Sequence, residues 1–267
     1  MRRSLLLSVS VFLLAAGSAV AASHSDGSRP ASANVVRLVT HVPGKVLNKV
    51  GAGRIKSPGS AKQGAFEVLA LHEAPLTGEG KPEVFAVDLA WCPHCAAENW
   101  SLAIALSRFG RLSGLRQIDS GTLYCKNGAR PCFPHTDGLS FFSTSYRSRY
   151  LSFVPVVLQD VKGHPLESFT AQQEAIFKAV DGPEVAPLVD VGGAWGFLNG
   201  GYTPAVLAHA SWTKIARSLA HPASPIAKGA DGLANLFTAA ICKVTDDEPA
   251  KVCRSKGVVA AGSAHLH

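Results

Sequence analysis

The chain of 267 residues carries 26 lysines and arginines against 19 aspartates and glutamates, a net charge of +7, and 47% of its residues are apolar. The basic residues are scattered, with no long basic run and no basic helix face interleaved with aromatics. That excludes a nucleic-acid footprint and leaves open only a general attraction to an anionic membrane or cell-wall surface. The apolar content is enough to bury the core of one large domain, or of a domain with an insertion.

Met1-Arg2-Arg3, an apolar run over residues 5–14 and the small residues Ala19-Val20-Ala21 follow the order of a secretory signal peptide (residues 1–21), with cleavage expected after Ala21. Ser8 and Ser10 make the run short and soft for a bilayer span of about 20 residues. An uncleaved anchor is the alternative, and in either case the folded part is expected outside the cytoplasm, as a periplasmic, cell-envelope or secreted protein. Loss of Arg2 and Arg3 would take the charge from +7 to +5. Residues 22–35 read as a flexible linker, and Pro43 to Val50 as a short helix ended by Gly51. Residues 22–60 are therefore expected to be a linker and N-terminal extension. The main domain is expected over 61–256, opening with a strand over 66–71 after a polar stretch at 56–64.

Pro82-Glu83-Val84-Phe85-Ala86-Val87-Asp88-Leu89-Ala90 is nearly continuously apolar, as a central strand covered on both faces would be. It runs into Trp91-Cys92-Pro93-His94-Cys95, after which Trp100, Ala103, Ile104 and Phe109 follow at helical spacing, with Gly110 expected at the C′ position. Weaker strands are expected at 115–118, 139–143 and 150–158. Thr170 with Gln173 is a capping-box signature before a helix over 171–180. Strands at 187–191 and 195–198 flank a Gly192-Gly193 turn, and Gly200-Gly201 is another turn. Thr203 and Pro204 are expected to open one helix running to Leu219, and a last helix is expected from Asp231.

The six cysteines form three close pairs. A Cys-x-x-Cys where a buried strand gives way to a helix puts its first sulfur near unsatisfied backbone N–H groups and the positive end of the helix dipole, which favours thiolate over thiol. Cys92 is thus the expected nucleophile. Cys95, one turn inward, is the expected resolving thiol, the more buried of the two. Pro93 fits the first helical turn, and His94 can donate to the Cys92 sulfur or, when protonated, add charge beside it. Both stabilise the reduced form.

At these residues the sequence resembles the thioredoxin superfamily, with the Pro-His dipeptide of periplasmic disulfide oxidases. The wider run from Cys92 to Gly110, together with Phe153-Val154-Pro155-Val156, Ser224-Pro225-Ile226-Ala227 and Thr238-Ala239-Ala240-Ile241-Cys242, is similar to a narrower group. That group is an uncharacterised family of exported prokaryotic thioredoxin-like proteins carrying only the label of a domain of unknown function. The likeness spans roughly residues 36–253. It implies an α/β thioredoxin-like fold with a central mixed sheet flanked by helices, to which the chain is expected to add a disulfide-looped insertion at about 120–150, a C-terminal helical cap at about 222–256, and a flexible tail over 257–267. It also implies a cis-proline opposite the reactive pair. Ala186-Pro187 stands at that place, with Pro155 as a competitor, and Trp91, Ala186 and Pro187 would line the substrate. Thioredoxin carries a buried acid six residues before its first cysteine, where this chain has Ala86. Asp88 lies on the same strand face and is the nearest substitute, although a solvated strand-end side chain is the plainer reading of it.

Less reactive readings stand beside these. Cys92 and Cys95 could form an inert structural disulfide in a binding or scaffold protein. Zinc on Cys92, Cys95, Cys125 and Cys132 is disfavoured by the six-residue gap in the second pair and by export, so no metal and no cofactor beyond the Cys92–Cys95 disulfide are expected. Cys125 with Cys132, and Cys242 with Cys253, read as structural staples, a redox relay through the first of them being the alternative. Of the histidines only His94 has an expected role. His24, His265 and His267 fall in presumed flexible ends. The sequence therefore points to an exported thiol-disulfide oxidoreductase acting on thiol-containing exported proteins, reset by a membrane redox partner and without nucleic-acid partners.

Overall fold

The computed structural model describes residues 25–55, 66–180 and 186–267. The expected leader, part of the linker and the polar stretch at 56–64 lie outside them. None of the described helices is long and apolar enough to cross a membrane.

The first described segment is not a free linker. β1 (Arg29–Pro30) pairs antiparallel with Gln117 and Arg116, and Asp26 is buried with its carboxylate accepting from Ser28 and Ser140. Ser32 caps α1 (Ala33–Thr40), whose Val35 and Val39 are wholly buried, and α2 (Gly44–Val50) ends at Gly51 as expected. The linker reading fails because long-range pairing, not local apolar content, orders this segment.

β2 (Glu67–Ala70), β3 (Thr77–Gly78) and β4 (Lys81–Asp88) lead to α3 (Pro93–Ser107). β4 alternates as a central strand should. Val84 and Ala86 join the core beneath α3, while Phe85 and Val87 join a second core on the other face. α3 is buried nearly all round, so it has no solvated face to bias its pattern. Its end differs from expectation. Arg108 is the C-cap, and Gly110 opens β5 (Gly110–Ser113). A Cβ at Gly110 would lie 2.4 Å from the Arg147 carbonyl oxygen, so close strand approach, not a left-handed turn, calls for glycine there.

The stretch between α3 and β9 takes in residues 120–150, where a disulfide-looped insertion is expected. It runs through β5, β6 (Arg116–Asp119), α4 (Leu123–Lys126), β7 (Asp137–Ser140) and β8 (Ser145–Ser148) before β9 (Ser152–Val157) returns to the main sheet. β5 pairs with β8, and β1, β6 and β7 make a three-stranded sheet. Cys125 and Cys132 are disulfide-bonded across the loop after α4.

α5 (Ala171–Ala179) carries both halves of its capping box, with Thr170 N–H donating to Gln173 at 2.9 Å and Gln173 N–H to Thr170 at 3.3 Å. β10 (Leu188–Val191) and β11 (Trp195–Leu198) form the hairpin around Gly192-Gly193, both with positive φ. The main sheet runs β2-β11-β10-β4, with β9 parallel to β4 on its far side and β3 pairing the start of β4. Antiparallel pairing prevails elsewhere, which makes the domain a mixed α/β fold.

The helix expected from Thr203 is split. A 3₁₀ turn, Pro204–Leu207, stops short of His209, whose φ of +58° breaks the path, and α6 (Trp212–Ser218) starts anew. Ser224 caps α7 (Pro225–Val244), which begins six residues before the expected Asp231. α7 lies against α3 and reaches the sheet through Phe237, whose ring sits 5.0 Å from that of Phe197. α8 (Ala250–Cys253) and α9 (Lys256–His265) follow. The expected flexible tail is thus helical, because Val258 and Ala261 are buried in the core that contains α7. Arg108, its charge disfavoured by burial to a pKa of about 10, ties α3 to α7 and the start of α9 through Asn235, Thr238 and Ser255.

Cys242 and Cys253 are bonded across 11 residues, joining α7 to α8. Replacing both by serine is expected to cost about 2–4 kcal/mol in urea unfolding, most of it from the loosened unfolded chain. A loss well below 1 kcal/mol would mean that the α7–α8 junction holds itself.

Candidate active site

β4 ends at Asp88, and a tight turn in which Cys92 N–H donates to Leu89 O (2.9 Å) aims the chain into α3. Cys92 is the N-cap. Its Sγ accepts from Cys95 N–H at 3.2 Å, and its backbone oxygen accepts from Ala96 N–H at 3.0 Å. Pro93 is the first helical residue, where a missing N–H costs nothing. Trp91 is fixed beside the pair by its indole N–H, which donates to Gln159 at 2.6 Å. Ala186 and Pro187, directly before β10, close the site, with Ala186 O lying 3.8 Å from Cys92 Sγ and the Ala186–Pro187 peptide cis. Pro155, the competitor, sits within β9, opposite Ala86.

Both thiols are free and both are buried, Cys92 3% and Cys95 2% exposed. The expected contrast in exposure between them is therefore absent, since the Ala186 segment covers the first sulfur as the helix covers the second. They differ instead in environment. The Cys95 thiol is pushed well above the ordinary thiol range by burial, then by Cys92, with Asp88 adding to it.

Asp88 is not a solvated strand-end residue. It is 5% exposed, accepts from Asn99 Nδ2 at 2.8 Å, and has a pKa raised to about 7, chiefly by burial. The even-numbered face of β4 points at α3, and this carries Asp88 inward with Ala86. Asp88 and Cys95 line one small cavity with Asn99, Leu139 and Ser140, with about 10 Å³ of room, about enough for one water.

His94 sits against Tyr124 and Phe133 and is neutral near pH 7, burial having lowered its pKa to about 4. Its expected role as a cation beside Cys92 is not available in this state. Glu98 and Asn99 are functional candidates that the sequence reading missed. Asn99 anchors Asp88 and also donates to Leu139 O at 3.0 Å. Glu98 is buried, and burial holds its carboxyl well above the carboxylate range, with Asp88 and Cys92 adding to the effect. The one signal for both was two polar residues in succession inside an apolar helix directly after the cysteine pair.

Cys125 and Cys132 are bonded to each other while Cys92 and Cys95 are free, so the four sulfurs do not form one thiolate set, and no cluster of three or more potential metal ligands occurs among the described residues.

No curated protein and no solved structure matches the chain. Residues 67–183 match a family model described as Domain of unknown function (DUF929), a span that takes in the cysteine pair, β5 to β9 and α5 and is shorter than the 36–253 over which the likeness is read in the sequence.

Proposed function

We propose that this protein is an exported, thioredoxin-like thiol-disulfide oxidoreductase that exchanges disulfides with thiol-containing exported proteins through Cys92 and Cys95. The order of elements supports the thioredoxin-like reading. A strand, a helix and a parallel strand (β4, α3, β9) are followed by α5, an antiparallel hairpin and α7, with the hairpin strand β10 next to β4. The observation that carries the functional reading is the position of one sulfur: Cys92 Sγ at the start of α3, accepting a backbone N–H, with Ala186 O 3.8 Å away.

In the reducing direction Cys92 thiolate attacks a substrate disulfide. A Cys92–substrate bond forms, and the other substrate sulfur leaves as thiolate and takes a proton. Cys95 then gives its proton to Asp88 through the small cavity and attacks Cys92 Sγ. The Cys92–Cys95 bond forms as the mixed disulfide breaks, and the second substrate sulfur leaves reduced. Run backward, the same steps oxidise a substrate dithiol. A membrane redox partner would reset the pair.

The test uses glutathione disulfide as a defined probe. Cys95→Ala should accumulate a single glutathione adduct on Cys92, detected by mass spectrometry, while Cys92→Ser should form none. The burial of both sulfurs favours the rival reading of a scaffold protein with an inert pair. That reading would be upheld by a Cys95→Ala chain that stays unmodified although folded.

A further inference from the structure

Tyr124 is the residue before Cys125 and Phe133 the residue after Cys132, so the second disulfide joins the chain where these two aromatics leave it. Both rings rest on His94, with centroids 5.9 Å away for Tyr124 and 5.6 Å, edge-on, for Phe133. Tyr124 also reaches Trp91, at 6.4 Å. From another element Gly200 closes in, and a Cβ there would lie 3.4 Å from His94 Cβ and 3.6 Å from Nδ1. Nδ1 is buried with no hydrogen-bond partner among the described residues.

The segment that carries the aromatics is closed at its base by His135 N–H donating to Gly121 O at 2.8 Å and has the Tyr124 side chain buried, while its tip is open. α4 is a single turn, too short to persist alone, and Lys126, Asn127, Gly128 and Arg130 are exposed. The bond between Cys125 and Cys132 is the covalent tie that keeps Tyr124 and Phe133 near one another.

Building on the exchange reading above, we propose that the Cys125–Cys132 disulfide is a positioning clamp on the reactive pair: it holds Tyr124 and Phe133 against His94, keeps water from the imidazole, and restrains the oxidising power of Cys92–Cys95, which rises when the clamp opens. Opening requires a thiol reductant. One thiolate attacks a clamp sulfur, the S–S bond breaks and leaves a mixed disulfide, and a second thiolate attacks the reductant's sulfur in it and expels the clamp cysteine, which leaves two cysteine thiols and the reductant's disulfide. Two electrons and two protons are taken up.

The consequence for His94 has a definite sign. Burial holds its pKa near about 4, so the clamped ring places no charge beside Cys92. A solvated ring returns toward about 6.5. Its cationic fraction then stabilises the thiolate of the reduced pair, which makes the corresponding disulfide the stronger oxidant.

The test compares the full chain with Cys125→Ser/Cys132→Ser. The His94 ring, followed by NMR titration, should ionise at clearly higher pH in the variant. At pH 6 the equilibrium of Cys92–Cys95 with glutathione should move about tenfold toward the dithiol, equivalent to about 30 mV. Phe133→Ala, with the disulfide intact, should raise the His94 titration in the same direction and serves if the double variant does not fold. In a His94→Ala background, removing the clamp should leave the glutathione equilibrium unmoved. An unchanged His94 titration, or an equally large redox shift without His94, overturns the proposal. A parent chain whose pair never equilibrates with glutathione instead refutes the exchange reading and with it the redox consequence, while the His94 titration still reads the clamp by itself.

Discussion

Asp88→Asn should slow resolution of a Cys92 mixed disulfide by about 10²–10⁴-fold at pH 7, the range over which a positioned acid or base contributes to proton transfer. The reason lies in two neighbours that oppose each other. Cys95 is buried and its thiol is held well above the ordinary range, so it cannot shed a proton to bulk water at a useful rate. Asp88, with a pKa near about 7, shares its cavity and can either take or return that proton at neutral pH. First attack by Cys92 does not pass through this cavity and should change little, so single-turnover experiments should show the mixed disulfide forming normally and then persisting. The same change should stabilise the fold. A carboxyl whose folded pKa is raised contributes stability that is complete below its unfolded value of 3.8 and is lost as pH rises through about 7. The asparagine variant escapes that loss, an effect of up to ~4 kcal/mol at and above pH 7. A variant that resolves at the parental rate would exclude Asp88 as the proton acceptor.

The features legible in the sequence are those set by neighbours in the chain. The nearly continuous apolar run of β4, the capping box at Thr170, the Gly192-Gly193 hairpin and the helix start at Cys92 each follow from local sequence, and each appears where the residues require it. Those that were not legible depend on distant partners. Ser32 N–H donates to Gln117 across 85 residues and Ala31 N–H to Leu115 O, which turns an apparent linker into a pinned segment. α9 has too weak an apolar stripe to announce itself. It is held because Gly257 lets its backbone approach Leu47 O, where a Cβ would come within 2.4 Å.

The candidate site divides along the same line. Cys92, Cys95, Pro93 and His94 are contiguous and carry their own signature. Asp88, Asn99 and Glu98 acquire meaning only from what α3 is buried against, and the neutrality of His94 depends on two aromatics brought in by a loop that reads as a mere staple. The composition of the helix hid this. A nearly all-apolar segment normally implies that its few polar members face solvent, whereas α3 has no solvated face to offer them.

Glu98→Gln and Asp231→Asn should each make the protein more stable in alkali, with a gain that grows by up to about 1.4 kcal/mol for every pH unit above the unfolded-state carboxyl pKa. Asp231, on α7, is fully buried with both oxygens unpartnered among the described residues, and Glu98, on α3, has only weak backbone support from Gly201. Burial is the leading cause that holds both carboxyls well above their ordinary range, so the folded protein keeps them protonated. Their stabilising contribution is present below about pH 4 and is lost as pH rises through the raised folded values. An amide has the shape of the protonated acid and cannot ionise, so it removes the loss without opening a cavity. His94 works in the opposite sense. Its lowered pKa erodes stability as pH falls from 6.5 toward about 4, which places the parent's optimum on the acid side of neutrality. Thermal unfolding at pH 5 and pH 8 separates these effects, each kcal/mol being worth about 2–4 °C in a chain of this size. Because Tyr202 lies close to both carboxyls and donates its hydroxyl to Ala97 O on α3, ionisation should loosen the α3–α7 contact that carries the cysteine pair. The parent should therefore lose exchange activity in alkali before it unfolds, and the two amide variants should retain it to higher pH. Parallel stability profiles for parent and variants would show that the two carboxyls ionise in the folded state without penalty.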